Sequence, residues 1–145
     1  MKSPDSYPGR PILANLVLLP SAVRTVSGTG EPVTLEGLSA LVLQLDVTAT
    51  ATDAGDALDV VVQTTIDGTN WIDFKHFTSV NGSTAKRHIS KVVVDAVLPD
   101  FDNSAVLLSG AGRNIFGEQY RVRWDISDSG TVNASFTFSV TANGA

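Results

Sequence analysis

The chain contains no cysteine among its 145 residues. This absence excludes disulfide bridges, thiolate nucleophiles and thiolate metal ligands, so stability must come from packing or association. Basic residues are few: ten Lys and Arg stand against fifteen Asp and Glu, and the formal net charge is −5. Nucleic-acid binding needs cations clustered on one face. Only Lys86 and Arg87 are adjacent in sequence, so we expect no nucleic-acid partner.

Long apolar runs are missing as well. The apolar stretch at residues 12–19 is too short to cross a bilayer, and the N-terminus lacks the pattern of a secretory signal. We therefore expect no membrane partner and a protein that is used in the compartment where it is made. No segment keeps a helical period over three turns, so any helix should be brief.

Strict alternation of apolar and polar residues is the clearest feature that the chain does have. Tyr120, Val122, Trp124 and Ile126 alternate with polar neighbours, and after a polar turn at residues 127–130 the alternation resumes from Val132 to residue 142. A period of two is typical of half-buried antiparallel strands. The pattern predicts that these two segments form a hairpin.

Two further hairpins are predicted upstream. Residues 41–51 and 58–66 alternate in the same way, and the Asp- and Gly-rich segment 52–56 between them is typical of a turn. A second turn containing Asp67 and Gly68 leads into a strand that starts at Trp71. Asn81 and Gly82 form the dipeptide most favoured in two-residue hairpins, so residues 85–94 should pair with residues 71–77. The inward face of residues 85–94 is ambiguous.

The two ends of the alternating region carry weaker signals. Residues 1–11 contain three prolines and predict an extended arm, and residues 12–19 and 22–26 predict strands that their prolines place at an edge. Residues 99–117 resemble a loop that should hold a short element or contact a neighbour. The candidate interface residues of the arm are Pro4, Tyr7, Pro8, Arg10, Pro11 and Ile12.

Short strands separated by turns predict an all-β protein with a single antiparallel β-sandwich or barrel. Jelly-roll-like and immunoglobulin-like topologies both fit this pattern. The expected organisation is an extended N-terminal arm at residues 1–11 and a single β domain at residues 12–145, which is long enough to bury one core.

Candidate chemical sites are weak. His76 and His88 would come to near-facing positions across the Asn81 turn, but no third metal ligand is evident. Two clusters of acidic and amide side chains could hold calcium, although such residues usually cap turns, and we favour that interpretation. The clusters are Asp53, Asp56 and Asp59, and Asp100, Asp102 and Asn103.

Catalytic motifs are also lacking. The glycine-rich segment 110–117 has no Lys-Ser or Lys-Thr ending of a phosphate loop, and Gly-x-Ser-x-Gly is absent. We therefore predict no enzymatic activity and no cofactor. Trp124 shares its face with Val122 and Ile126, which predicts a core position. For Trp71, a core position is favoured over an exposed sugar-binding platform.

Residues 58–74 contain a strand, an Asp-Gly-Thr-Asn-Trp turn and a second strand. This element resembles one in small virion proteins of tailed bacteriophages. Those proteins often also have an earlier strand like residues 43–49 and a closing pair like residues 120–124 and 135–140. The resemblance covers residues 41–142. The same turn occurs in discoidin-like carbohydrate-binding domains.

The phage resemblance implies a head decoration, or cement, protein that binds the outer capsid lattice and bridges neighbouring capsid subunits. It implies the major capsid protein and further copies of the chain as partners, with a trimer favoured. The implied location is the capsid surface of the virion, after synthesis in the bacterial cytoplasm. No active site comes with the resemblance. The alternatives are a carbohydrate-binding β-sandwich module and an accessory virion protein of the neck or tail.

Overall fold

The computed structural model describes residues 13–50, 53–82, 84–94, 100–104 and 106–145. Within these ranges the chain forms ten β-strands and no helix. The strands are β1 (Leu13–Arg24), β2 (Gly28–Thr29), β3 (Val33–Thr34), β4 (Ala40–Thr50), β5 (Ala57–Thr65), β6 (Trp71–His76), β7 (Val80–Asn81), β8 (Lys86–Val93), β9 (Gln119–Ser127) and β10 (Phe136–Gly144).

Two antiparallel sheets pack face to face. Sheet A has the strand order β1-β10-β4-β8, and sheet B has the order β2-β9-β5-β6, with β3 also paired to β9 and β7 to β5. The predicted all-β antiparallel fold is confirmed, and its form is a β-sandwich. The predicted arm residues, Pro4, Tyr7, Pro8, Arg10, Pro11 and Ile12, lie outside the described residues.

The core lies between the two sheets and follows the alternation of the sequence. In β4 every second residue from Leu41 to Val47 is fully buried, and the residues between them are half-buried. Each fully buried side chain of this size stabilises the fold by about 1.5–3 kcal/mol. The largest contributors from the other strands are Leu58, Val60, Phe74, Tyr120, Phe136 and Phe138.

The three predicted hairpins, two based on alternation and one based on the Asn81-Gly82 dipeptide, are wrong. The strands of each predicted pair, β4 with β5, β6 with β8 and β9 with β10, lie in opposite sheets. Both sheets bury one face in the same core, so alternation identifies the buried face without identifying the neighbouring strand. Asn81 ends β7, which pairs with β5, and Gly82 follows it with φ of 74°.

The hairpin that does form joins β5 to β6 around the predicted Asp67 turn. Thr65 pairs with Trp71 at the base of this turn, and Gly68 has φ of 80°, a conformation that glycine adopts without strain. Ile66 was expected to continue the inward face of β5, but the strand ends at Thr65 and Ile66 is exposed.

At the N-terminal side, residues 12–19 and 22–26 were expected to be separate strands. Among the described residues, Leu13–Arg24 form one strand, β1, which contains Pro20 and pairs only with β10 among the described strands. The predicted edge position is therefore confirmed. The structure also identifies the inward face of β8, which the sequence left ambiguous. Val92 is buried and His88 and Ser90 are half-buried, whereas Ile89 is exposed, so these even-numbered residues face inward.

The loop-like region after residue 99 packs along the edge of sheet B. The backbone N–H of His76 donates to Ala111 (3.0 Å), and Arg113 N donates to the carbonyl of Phe74 (2.8 Å). A single β-bridge joins Lys75 to Gly112. This segment therefore acts as a short pairing element beside β6.

Candidate binding surfaces

The Asp67 turn uses its polar groups internally. The Asp67 carboxylate accepts hydrogen bonds from the backbone N–H groups of Asn70 (2.7 Å) and Thr69 (2.8 Å) and from the Thr65 hydroxyl (3.2 Å). These bonds, above all the one from Asn70 N, lower the pKa of Asp67. The turn is thus stabilised as an ionised carboxylate surrounded by donors.

A second carboxylate corner joins the two connections that cross between the sheets. Asp56 is buried and accepts hydrogen bonds from the backbone N–H of Ser129 (2.7 Å) and of Asp53 (2.9 Å). Asp53 in turn accepts a bond from Val132 N (2.8 Å). The bond from Ser129 lowers the pKa of Asp56. These oxygens face N–H donors, which is the capping geometry that we favoured over calcium binding.

The second predicted acidic cluster also has a local capping contact. Asp102 Oδ1 accepts a hydrogen bond from Ser104 N (2.9 Å), which lowers the pKa of Asp102. Asn103 Nδ2 donates to the backbone oxygen of Trp71 (3.1 Å). The part of the chain that the structure describes contains no group of three or more His, Asp or Glu side chains that could hold a metal ion.

The two histidines do not face each other, contrary to the expectation. His88 lies opposite Leu45 in sheet A, whereas His76 belongs to β6 in sheet B. The ring of His76 is fixed at both nitrogens, with Nδ1 2.8 Å from the carbonyl oxygen of Leu107 and Nε2 3.0 Å from Asp59 Oδ1. His76 therefore helps to hold the segment after residue 105 against sheet B.

A serine also contacts this histidine-aspartate pair. The Ser79 hydroxyl donates a hydrogen bond to Asp59, while Asp59 is also the partner of His76 Nε2. In nucleophilic catalysis the serine hydroxyl must instead contact the histidine that accepts its proton. The order Ser79–Asp59–His76 is therefore a structural network and does not activate the serine.

Trp71 lies outside the main core, contrary to the prediction, and is half-buried. The guanidinium carbon of Arg121 is 4.2 Å from the centroid of the Trp71 ring, so the cation covers one face of it. Arg121 Nε also donates to Gln63 (2.9 Å), and Gln63 Nε2 donates to Asp73 (2.9 Å). A hydrogen-bonded row therefore crosses three strands on the outer face of sheet B.

Trp124, for which the sequence predicted a core position, is half-buried and packs against the core from the rim of the sandwich. Its ring meets Phe138 edge to face at 6.0 Å, and Arg24 lies 4.9 Å from its centroid. The indole Nε1 donates to the carbonyl of Val26 (2.9 Å). Trp124 thus fastens the segment after β1 to sheet B.

Tyr120 places a phenol in the core beneath the start of β9. Burial raises the pKa of Tyr120 to about 12, and weak contacts with Thr64 and Gly117 oppose the rise. Gly117 N donates to Thr64 Oγ1, and Thr64 Oγ1 donates to the carbonyl oxygen of Gln119. Within the described structure the phenol oxygen is buried without a hydrogen-bond partner.

The outer face of sheet A carries a groove that no sequence motif marked. Register pairing aligns Val17, Thr141, Gln44 and Ile89 in one row across all four strands. Val17 is 51% exposed and Ile89 is 67% exposed. We call the open groove along this row, of about 530 Å³, the sheet A groove; its lining is Asn15, Val17, Val42, Gln44, Ile89, Thr141, Ala142 and Asn143. In the sequence, the only signal for this groove is the presence of apolar residues at outward-facing strand positions. Their alignment in one row depends on the strand register, which the sequence does not show.

No helix in the described part of the chain is long and apolar enough to span a membrane. No protein-family model matches this chain, and comparisons with curated proteins and with solved structures also give no match.

Proposed function

We propose that this protein is a head decoration protein of a tailed bacteriophage, which binds the outer capsid lattice and bridges neighbouring capsid subunits. The observation that carries the proposal is the sheet A groove, which has an exposed apolar side chain at each end. Exposed apolar side chains flanked by polar residues are typical of protein interaction sites. Val17 and Ile89 stand at opposite ends of one row across the sheet, with the polar residues Thr141 and Gln44 between them.

The shape and composition of the sheet A groove favour a protein partner. The groove is open along the sheet and combines apolar ends with a polar centre, which is the mixture found in interfaces between proteins. Small-molecule sites are usually concave and enclose most of their ligand. In the sandwich, Asp53, Asp56, Asp67 and His76 are engaged in turns and packing contacts, which supports a binding role over chemistry.

The order of elements in residues 41–142, which resembles that of small phage virion proteins, supports the choice of partner. In this proposal copies of the chain associate, with a trimer favoured, and each copy contacts more than one capsid subunit. Every contact that forms only in the assembled shell stabilises that shell by mass action. The capsid surface of the virion is then the working location of the protein.

The direct test is binding to purified undecorated phage heads. Val17→Asp places a charge in the sheet A groove, and we expect the number of copies bound per head to fall at least about tenfold. Val132→Asp is the matched control, because Val132 is 52% exposed and lies outside the groove. Circular dichroism should show that both variants are folded. Equal occupancy of heads by wild type and Val17→Asp would refute the role of the groove.

The N-terminal arm and the assembly state give two further tests. Deletion of residues 1–11 should leave a folded domain that occupies heads less well, and unchanged occupancy would remove the arm from the proposal. Light scattering of the purified protein should give the mass of a trimer. Rings or tubes of another symmetry would instead favour the neck or tail alternative.

The carbohydrate-binding alternative has weaker support. An aromatic platform stacks a sugar ring on a free face, and Arg121 already covers one face of Trp71. Glycan binding that Trp71→Ala abolishes without unfolding the domain would nevertheless favour this alternative.

A further inference from the structure

The edges of the two sheets differ in how they resist pairing with another strand. An exposed edge strand offers free backbone N–H and C=O groups, and proteins usually block such edges. At one edge of sheet B the segment containing Ala111 and Arg113 forms hydrogen bonds with β6. At the other edge β2 and β3 are only two residues long.

The first edge of sheet A is blocked by irregularity. Strand β1 contains Pro20, which has no N–H to donate, and its pairing with β10 is interrupted by three register shifts. Asn15 adopts a positive φ of 54° within the strand. Proline, bulges and local twist all make an edge a poor template for a further strand.

Strand β8, the other edge of sheet A, has none of these features. Its eight residues pair with β4 in an uninterrupted register from Ala40–Val93 to Val47–Lys86, and it contains neither proline nor glycine. Among the described strands only β4 pairs with it. Within the described part of the chain, the backbone groups that point away from β4 therefore form a regular, open template.

The charge of β8 is opposite to that of the whole protein. Lys86, Arg87 and Lys91 give it three positive charges with no acidic residue, while the chain has a net charge of −5. Arg87 lies 3.5 Å from Asp46 of β4, and Lys86 and Lys91 are exposed. Two copies of β8 would repel each other if they paired. The same cations would attract a strand that carries acidic side chains.

We propose that β8 is a docking strand that takes up an acidic extended segment of a partner protein as a fifth strand of sheet A. Backbone hydrogen bonds would supply the affinity, and the side chains would supply the specificity. The added strand would place acidic side chains beside Arg87 and Lys91 and apolar side chains beside Ile89 and Val93. The proposal rests on the proposed function only for the identification of the partner as a capsid subunit.

The probe is a synthetic peptide that matches β8 in antiparallel register, Ile-Val-Glu-Thr-Val-Thr-Glu-Glu, with blocked termini and a fluorescent label. Fluorescence polarisation with the full chain should show that it binds at least about tenfold more tightly than the same peptide with Lys in place of Glu. The difference should shrink as the Debye length falls from about 10 Å to about 3 Å with added salt.

Charge reversal on the protein provides a matched control. The double variant Lys86→Glu, Lys91→Glu should bind the acidic peptide more weakly and the lysine peptide more tightly. Because both side chains are exposed, we expect the variant to keep the fold. An unchanged preference for the acidic peptide would overturn the proposal. Self-association of the wild-type protein that disappears in the double variant would also overturn it, because β8 would then pair with a second copy.

Strand addition and simple charge attraction differ in their backbone hydrogen bonds. Methylation of alternate backbone nitrogens removes N–H donors from the peptide and leaves its charges in place. The methylated peptide should therefore bind at least about tenfold more weakly than the unmethylated one. Amide hydrogen exchange should show new protection at alternate residues of β8 when the unmethylated peptide binds. Equal binding of both peptides, or no new protection, would refute the added strand.

These results are separable from those on capsid binding. Peptide binding without occupancy of heads would leave the docking strand intact and refute the proposed function. The opposite outcome is also distinguishable. If no peptide binds, and occupancy of heads depends on Val17 but not on the charges of Lys86 and Lys91, the docking strand is refuted and the proposed function is retained.

Discussion

Replacement of Gly117 by alanine should destabilise the fold because this residue touches the backbone of sheet B. A Cβ atom at Gly117 would lie 2.2 Å from the carbonyl oxygen of Thr65 and 2.5 Å from the Thr64 hydroxyl. Gly117 N donates to that hydroxyl at 3.1 Å, and Glu118 N donates to Thr65 O at 3.0 Å. The neighbouring atoms belong to a buried central strand, so they cannot move aside freely.

The size of the effect follows from overpacking of a well-packed region. Such substitutions usually lower the free energy of unfolding by about 1–3 kcal/mol. For a chain of this length that loss corresponds to a fall in melting temperature of about 3–12 °C. Thermal and urea unfolding followed by circular dichroism would measure both quantities. The fall should be accompanied by faster hydrogen exchange at the start of β9 if the contact between β9 and β5 loosens.

Gly112 is the matched control in the same connecting segment. A Cβ at Gly112 would lie 3.6 Å from Lys75 Cδ and from the carbonyl oxygen of Phe74, which is an ordinary van der Waals distance. Gly112→Ala should therefore be neutral or slightly stabilising, since alanine restricts the unfolded chain. Equal melting temperatures for the Gly117→Ala and Gly112→Ala variants would refute the packing of residues 106–117 against sheet B.

Two ionisable groups give pH-dependent predictions. The raised pKa of Tyr120 means that its contribution to stability is complete below pH about 10 and lost as the pH rises to about 12. Tyr120→Phe should reduce this alkaline loss in thermal melts without lowering stability at pH 7, and an unchanged alkaline profile would contradict it. The lowered pKa of Asp67 has the opposite sign, so its contribution is present above pH about 4 and lost as the pH falls further. Asp67→Ala should lower the melting temperature at pH 7 more than at pH 2; an equal difference at both would argue against the ionised turn.

The sequence predicted which residues face the core, because the alternation of side chains between the two faces of a strand is a local property. Alternation in β4 and β10 identified Leu43, Leu45, Phe136, Phe138 and Val140, and all five are buried. Val132 follows the same alternation but is exposed, since it precedes β10 and belongs to the connection between the sheets.

Strand pairing could not be predicted in the same way, because it depends on contacts between distant residues. Asp53, Asp56 and Ser129 all belong to segments that we interpreted as hairpin turns. In the structure Asp56 links the connection after β4 to the connection after β9 through Ser129 N. Some polar segments return the chain to the same sheet, and others carry it across the sandwich to the other sheet. Both kinds have the same composition. Only the hydrogen bonds between the two segments distinguish them.

The sheet A groove and strand β8 meet at Ile89, which lines the groove and also belongs to the open edge. An acidic strand added beside β8 would lie next to Ile89 and would extend the row that begins at Val17 by one further strand. Both contacts are on one sheet, so a partner that makes both loses its rotational and translational freedom only once. The groove alone offers a shallow surface with apolar ends and a polar centre, and β8 alone offers a row of backbone hydrogen-bonding groups. Together they would hold an extended acidic segment and the surface that carries it in a single orientation, as the proposed bridging of subunits requires.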